Sequence, residues 1–205
     1  MRVSLRTIFL LTALGIVAAL TIACDDDPVK PPVGDSIQNL THKTDVLNNI
    51  EYAYNKRQTN VYDALLDDAF TFFYTDAGLG GGGTPVQWGR DVEVTTTAGL
   101  LGAASSIDLD IDWEDGVTWS VVPAGTESWY ITTVFYHYTI KIGDTTYIPN
   151  SGAKAQFTVR NAGTTEEPHW KLVEFRDLGG PSLVSAPERT STQAVTWGQV
   201  KALYR

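Results

Sequence analysis

The chain beyond residue 37 begins with apolar residues that recur at the period of an α-helix. Across residues 44–57 the intervals are three and four, which predicts an amphipathic helix. Its apolar face is predicted to hold Val46, Leu47, Ile50, Ala53 and Tyr54. A second, short helix is predicted with Asn60 as its N-cap. A third is predicted after Trp88 and ends near Leu101, although the three threonines at 95–97 have low helix propensity.

Beyond residue 105 the pattern changes to that of β-strands. Residues 106–113 alternate strictly, with apolar side chains on one side and the carboxylates of Asp108, Asp110 and Asp112 on the other. The aromatic run AFTFFY at 69–74 also has the composition of a strand. Further strands are predicted at residues 117–121, 129–142, 145–149, 153–160 and 170–177. Because the helices come first and none separates the later strands, the pattern predicts an α+β fold with an antiparallel sheet.

The last predicted strand carries charged residues on both of its faces. Strict alternation predicts one face with Trp170, Leu172, Glu174 and Arg176, and another with Lys171, Val173, Phe175 and Asp177. We interpret Glu174 and Arg176, which are two positions apart, as a structural ion pair.

A glycine-rich segment at residues 76–87 is predicted to be a mobile loop at the edge of a cavity. Gly78, Gly80 and Gly83 formally match the dinucleotide pattern G-x-G-x-x-G. Helices precede the strand before this loop, however, and no Lys-Ser/Thr pair of a P-loop follows it. The sequence therefore does not predict a nucleotide site.

The amino terminus has the layout of a bacterial export signal. Two arginines precede an uncharged run at residues 8–23, which is marginal for spanning a bilayer and ends at the only cysteine, Cys24. The string LTIAC resembles the lipobox of bacterial lipoproteins, although Leu20 lies four residues before the cysteine instead of three. The resemblance implies a signal peptide at 1–23 and acylation of Cys24, for example with palmitate. The alternative is an ordinary cleaved signal with an incidental cysteine.

The residues after the cysteine have the composition of a solvated tether. Residues 24–36 contain three consecutive aspartates and three prolines, without apolar periodicity. We expect a lipidated tether of this kind to hold a domain on the bacterial cell envelope, outside the cytoplasm. Asp25 resembles the inner-membrane retention signal of enteric lipoproteins, a rule that depends on the organism. The choice between inner and outer membrane therefore stays open.

Composition excludes several classes of function. The 15 basic and 24 acidic residues give a formal net charge of −9, so no nucleic-acid partner is expected. One cysteine cannot form a disulfide within the chain, and the isolated His42, His137 and His169 give no zinc signature. The acids at 108–115 lack the spacing of a calcium-binding loop. The sequence therefore predicts neither a metal nor a cofactor.

Several strings, in order along the chain, resemble those of the SnoaL-like and ketosteroid-isomerase-like proteins of the nuclear-transport-factor-like superfamily. They are AYNKRQ, YDALLDDAFTFFY, the helix that follows Trp88, and WKLVEFRDL. The resemblance covers about residues 43–178. It implies a cone-shaped α+β domain at 37–178, in which N-terminal helices cover a curved antiparallel sheet around one cavity. Members include isomerases, cyclases, dehydratases and domains without known chemistry, so the fold does not decide the function.

The remaining residues, 179–205, are predicted to form a tail that ends in a short helix. Thr196 is the predicted N-cap. The residues at helical spacing are Trp197, Val200, Leu203 and Tyr204. Because about ten residues are rarely helical alone, we expect this helix to dock on the domain.

Aromatic residues of the predicted helices and strands should converge inside such a cone. The residues predicted to line its cavity are Tyr54, Phe72, Tyr74, Trp88, Trp113, Phe135, His137 and Trp170. The aromatic neighbours of His137 predict a strand buried on both faces, where the imidazole is either a general base or a hydrogen-bonded core residue. Asp177 is a second candidate for proton transfer. No G-x-S-x-G elbow is present, so no covalent nucleophile is predicted.

Three classes of function remain open. The first is a lipid-anchored binding module that takes a small, largely apolar molecule or a protein partner without catalysis. The second is a proton-transfer enzyme, such as an isomerase, a cyclase or a dehydratase-like protein, that uses a buried His137 or Asp177. An interior carboxylate that faces a histidine or a tyrosine would favour it. The third is a structural homodimer, which a filled cavity and an apolar outer sheet face would favour.

Overall fold

Helices pack on a curved, unclosed sheet in this protein. A computed structural model describes residues 37–76, 83–112, 117–122, 129–179 and 192–205. The helices are α1 (Lys43–Asn55), α2 (Thr59–Leu65), α3 (Arg90–Ala103) and α4 (Trp197–Ala202). The predicted signal peptide, Cys24, the tether, the glycines at 77–82 and Trp113 lie outside the described residues. Among the described residues, no helix is long and apolar enough to cross a membrane.

The first two helices follow the predicted pattern except at one boundary. All five residues of the predicted apolar face of α1 are fully buried, which confirms the helical periodicity. The predicted cap at Asn60 is wrong, because α2 begins at Thr59 with Gln58 as its N-cap. The chain turns at Arg57, whose φ of 54° is left-handed, and the carbonyl of Gln58 then accepts from the Tyr62 amide.

In the part of the chain that the structure describes, nine strands form one sheet. They are β1 (Leu66–Asp76), β2 (Thr84–Gly89), β3 (Ser106–Ile111), β4 (Ser120–Val121), β5 (Trp129–Ile142), β6 (Thr145–Ile148), β7 (Lys154–Asn161), β8 (Trp170–Gly179) and β9 (Thr192–Ala194). The main path has the order β2-β1-β8-β7-β5-β6-β9, and β3 and β4 also pair with β5. β5 is the longest strand and pairs with four others. The α+β fold with a curved, mostly antiparallel sheet and a short C-terminal helix is confirmed.

Two strand pairs depart from the antiparallel arrangement. β1 lies parallel to β8, with Phe72 opposite Phe175, and β9 lies parallel to β6. In both cases a long stretch of chain separates the partners, which is what a parallel pair requires. The first of these pairs lies one strand in from the β2 edge of the sheet and joins the two halves of the sequence.

The segment after β1 contains more strand than the sequence predicted. The predicted loop at 76–87 is wrong in its second half, because β2 begins at Thr84 and pairs with β1 in antiparallel register. Glycines ahead of β2 and Pro85 within it obscured the alternation. The pairing turns Trp88 inward, where its ring stacks on Phe72 at a centroid distance of 4.7 Å.

The acids of β3 form an exposed face, as predicted. Ile107, Leu109 and Ile111 are buried, whereas Asp108 and Asp110 are exposed. Strict alternation therefore holds along this strand.

Strict alternation fails on β8. Leu172 and Phe175 both lie in the core, so the prediction that placed them on opposite faces is wrong. The cause is a β-bulge: Thr158 of β7 faces Glu174, but the next residue, Val159, faces Leu172. The extra residue, Val173, shifts the alternation by one position. Beyond the bulge, Glu174 and Arg176 form the predicted ion pair.

Candidate functional site

The interior of the cone is occupied by helix α4 of the chain itself. The predicted N-cap, Thr196, accepts from the Gln199 amide at 3.2 Å, and the Gln199 side chain accepts from the Thr196 amide at 2.9 Å. This capping box starts a helix whose inner face is Trp197, Val200 and Lys201, all buried. The predicted docking of the C-terminal helix is confirmed, and the helix is part of the core.

One residue of the predicted inner face of α4 is wrong. Leu203 is 61% exposed, whereas Lys201 is fully buried. A helix of 3.6 residues per turn places position 201 almost above Trp197, while position 203 falls on the far side. The position of Lys201 on the apolar stripe of this short helix therefore predicts that it is buried, and a buried lysine needs a partner inside the protein.

Gly198 allows α4 to lie directly against the sheet. A Cβ atom at this position would lie 2.3 Å from the Tyr74 ring carbon Cγ. Tyr74 belongs to β1, and its ring packs edge-on against Trp88. The close approach of helix and strand therefore requires a residue without a side chain at position 198.

The indole of Trp197 fills the middle of the cone. Its ring meets those of Tyr54, Tyr136 and Phe175 edge-on, at centroid distances of 4.9, 5.3 and 5.2 Å. Among the described residues, its buried Nε1 has no hydrogen-bond partner. The indole is therefore well packed, but its N–H group lacks an acceptor. A buried N–H without an acceptor costs about 1–3 kcal/mol of stability.

Lys201 forms a fully buried ion pair with Glu93 of α3. Its ammonium donates to Glu93 Oε1, and both side chains have no exposed surface. The ammonium lies in an aromatic cage, with ring centroids 4.3–5.7 Å from Nζ. The cage consists of Tyr54, Tyr62, Phe72, Phe175 and Trp197. Such rings attract a cation through the negative potential of their faces.

Three neutral donors also hold the Glu93 carboxylate. Tyr62 donates to Oε1 at 2.5 Å, Trp88 Nε1 donates to Oε2 at 2.7 Å, and Thr97 donates to Oε1 at 3.2 Å. They belong to α2, β2 and α3. Glu93 is thus oriented by three elements of the cone wall, and α4 supplies only the fourth donor.

Burial and charge set the protonation states of this cluster. Burial alone would lower the pKa of Lys201, but the attraction of Glu93 outweighs it and raises that pKa above the ordinary value. Burial, followed by the repulsion of Glu93, raises the pKa of Tyr62 well above its ordinary value. At neutral pH the lysine is therefore charged, and the tyrosine keeps the proton that it donates.

Asp177 lies inside the cone and connects the end of β8 to the start of α4. Its Oδ1 accepts from the Tyr136 hydroxyl and from the Gly179 amide, both at 2.9 Å, and its Oδ2 accepts from the Gly198 amide at 2.7 Å. Burial, followed by the charge of Asp177, raises the pKa of Tyr136. The carboxylate therefore faces a protonated tyrosine and stabilises the first turn of α4.

His137 lies on the outer face of the sheet. The prediction that its strand is buried on both faces is wrong, because β5 alternates between buried and exposed residues. Tyr136 and Tyr138 point inward, whereas His137 is exposed and Phe135 is 39% exposed. The ring of Phe135 is covered by Lys154, whose Nζ lies 4.5 Å from its centroid. His137 and Asp177 are therefore not brought together.

The structure divides the other predicted cavity residues. Tyr54, Phe72, Tyr74 and Trp88 are buried in the interior. Trp170 is half-buried at the start of α1, where its Nε1 donates to the Thr41 carbonyl at 3.2 Å. Glu93 and Lys201 form the part of the site that the sequence analysis missed.

A half-open groove of about 410 Å³ lies on the outside of the helices. Residues 37–41 form one wall, and α2 and the turn at Pro168 and His169 form the others. Asn49 also lines the groove, and its side chain exchanges two hydrogen bonds of 2.8 Å with the backbone of Gln38. Among the described residues, no group of three or more His, Cys, Asp or Glu side chains could hold a metal ion.

Comparisons with known proteins identify the fold. No protein-family model and no curated protein matches this sequence. A conserved protein from Planctomyces limnophilus aligns over 67% of this chain and 92% of its own, with 15% identity and a TM-score of 0.50. A scytalone dehydratase-like protein from Novosphingobium aromaticivorans aligns over 70% and 85%, with 12% identity and a TM-score of 0.50.

A nuclear transport factor 2-like superfamily protein from Salmonella enterica aligns over 70% of this chain and 94% of its own, with 13% identity and a TM-score of 0.49. The two neighbours with a TM-score of 0.50 share the α+β fold that the sequence resemblance implied. At these identities the similarity is one of fold, and it assigns no activity to this chain.

Proposed function

We propose that this chain is a lipid-anchored protein of the bacterial envelope whose cone domain binds a small molecule with an apolar body and does not transform it. The observation that carries this proposal is the interior of the cone. It contains aromatic rings and two oriented carboxylates, and it already accommodates an indole and an ammonium from the chain itself. These are groups that recognise a ligand.

The state of the interior carboxylates favours binding over catalysis. Glu93 accepts from four donors and Asp177 from three. A general base needs a free lone pair within reach of the substrate proton. In the closed domain both carboxylates accept hydrogen bonds from groups of the chain, and those groups lie where a substrate would have to bind, so the carboxylates are placed to orient and attract a ligand.

Support for the anchor comes from the sequence. The apolar run ends at Cys24, and the residues after it are acidic. An acidic chain is repelled by anionic lipid headgroups, so acyl chains would have to supply its membrane affinity.

Labelling tests the anchor. Radiolabelled palmitate should enter the full-length protein in a bacterial host and should not enter the Cys24→Ala variant. Equal labelling of the two proteins would show that the cysteine is not the acceptor.

Ligand binding is tested on the full chain with a panel of small apolar amphiphiles, both neutral and charged. At least one compound should raise the melting temperature in a saturable way and should be recovered unchanged, as measured by mass spectrometry. If no compound shifts the melting temperature, the interior is simply a core. If a compound is recovered altered, the domain is an enzyme.

A proton-transfer enzyme is the second candidate, and the pairing of Asp177 with Tyr136 favours it. The two groups are 2.9 Å apart inside the cone, where a carboxylate beside a protonated hydroxyl can serve as base and hydrogen-bond donor. This function requires α4 to leave, because the Gly198 amide occupies the other carboxylate oxygen. Turnover that disappears in both Asp177→Asn and Tyr136→Phe would establish it.

A further inference from the structure

We propose that α4 is a tethered occupant of the cone, and that the site behind it takes a compound with a primary ammonium group attached to a phenyl-sized apolar body. In this arrangement Lys201 and Trp197 stand where the ammonium and the apolar body of the ligand bind. The inference rests on the proposed binding function and names the class of ligand.

The anionic half of the site does not depend on α4. The donors from Tyr62, Trp88 and Thr97 remain on the Glu93 carboxylate when Lys201 leaves, since they belong to the cone wall. A carboxylate that is oriented but unpaired in a low-dielectric interior selects a cation. A neutral molecule of the same shape would leave the buried Glu93 carboxylate without a counter-ion. We therefore expect the neutral molecule to bind more weakly than the ammonium compound, by a factor on the order of a hundred or more.

The shape of the site favours an ammonium on a short alkyl chain. The centroids of the Phe72 and Phe175 rings lie 4.3 and 4.9 Å from the lysine Nζ. These distances are well within the range of about 6 Å at which an aromatic ring attracts a cation. The Tyr62 hydroxyl lies 3.5 Å from the same nitrogen. The positively charged state of Lys201, maintained despite burial, shows that the site stabilises a cation.

The apolar half of the site suits a phenyl ring better than the indole that now occupies it. Tyr54, Tyr136 and Phe175 surround the Trp197 ring edge-on. The indole N–H among them has no acceptor in the described part of the chain, and a phenyl group would avoid that cost.

Little of the sheet depends on the occupant. α4 has six residues, which is too short for a stable isolated helix, and it contributes no strand. It is held by Asp177, by the Tyr138 hydroxyl on the Val195 carbonyl at 2.7 Å, and by its own buried face. β9, which precedes it, has three exposed residues and, among the described strands, pairs with β6 alone. The burial of Trp197 opposes exchange, so the apparent affinity equals the intrinsic affinity multiplied by the open fraction.

The first experiment opens the site inside the full chain. Lys201→Ala removes a propylammonium group and leaves a hole that faces Glu93, whereas Lys201→Met fills the same hole without charge. By calorimetry, n-propylammonium should bind Lys201→Ala saturably and raise its melting temperature. n-Propanol should do neither, and Lys201→Met should not respond to either compound. Equal responses to the amine and the alcohol, or no response to both, would overturn the inference.

The second experiment uses the wild-type protein, so it does not depend on the folding of a variant. Hydrogen exchange of the α4 amides should accelerate at least tenfold in saturating 2-phenylethylammonium and should not change in 2-phenylethanol. Unchanged exchange in both compounds would overturn the tethered-occupant proposal. Binding of neutral amphiphiles without preference for the amine would overturn the ligand class while leaving the proposed function intact. Failure of the whole ligand panel, neutral and charged, would overturn both.

Discussion

Replacement of Lys201 by methionine tests whether the buried ion pair contributes what its geometry implies. Methionine keeps most of the length of the side chain and removes the charge, so the cage stays filled while Glu93 loses one of its four donors. Removal of one partner from a buried pair typically costs about 3–5 kcal/mol. Because Tyr62, Trp88 and Thr97 still hold the carboxylate, we expect the lower value, about 3 kcal/mol at pH 7.

Urea unfolding of Lys201→Met and wild type at pH 7, followed by tryptophan fluorescence, measures this cost. At pH 7 it corresponds to a fall in melting temperature of about 6–12 °C for a domain of this size. The control is the double variant Glu93→Gln/Lys201→Met, which has no buried charge and should recover at least about 1 kcal/mol. A single variant as stable as wild type at pH 7, or a double variant no more stable than the single one, would refute the argument.

Three further predictions concern the attachment of α4 and the protonation of its lysine. Asp177→Asn places an amide nitrogen against backbone N–H groups, so it should lower the free energy of unfolding in urea by about 2 kcal/mol and accelerate hydrogen exchange of the α4 amides. Unchanged hydrogen exchange would contradict the anchoring role of Asp177. Gly198→Ala should lower stability by about 2–3 kcal/mol, because the added methyl group collides with Tyr74. In the matched control Gly102→Ala the added methyl group meets nothing within 4 Å, so this variant should be neutral or up to about 1 kcal/mol more stable. Equal effects of the two substitutions would mean that α4 is not packed against β1. The raised pKa of Lys201 means that its stabilisation is complete below about pH 10.4 and is lost as the pH rises through the folded value. Wild type should therefore lose more stability than Lys201→Met between pH 9 and pH 12, and parallel pH profiles would contradict this.

The elements that the sequence predicted well are those in which one local rule applies throughout. α1 and β3 each have one buried face, so their periodicity determined which residues are inside. The bounds of β5 were also predicted as observed. Its aromatic residues, however, lie on both faces, and composition alone could not show that the outer face is exposed. His137 was misplaced for that reason.

The elements that the sequence predicted poorly depend on pairing between distant segments. The bulge at Val173 appears only in the register of β7 against β8. β2 and β9 are short strands that form by backbone pairing, β2 with β1 and β9 with β6. The partnership of Glu93 with Lys201 joins residues more than a hundred positions apart, and neither is unusual by itself. A lysine on the apolar stripe of α4 was the one local sign of it.

The parallel pairing of β1 with β8 determines the order in which this protein can fold. Phe72 meets Phe175, about a hundred residues later in the chain, whereas β7 meets β8 across a short connection. Closure of the longer loop costs about 2 kcal/mol more entropy than closure of a ten-residue one. The aromatic strand β1 therefore has no partner on that side until β8 has been synthesised, and its exposed edge is a site of aggregation during that interval. This side of the sheet can therefore form only after β8 has been made, so about a hundred residues are synthesised while that edge of β1 stays unpaired.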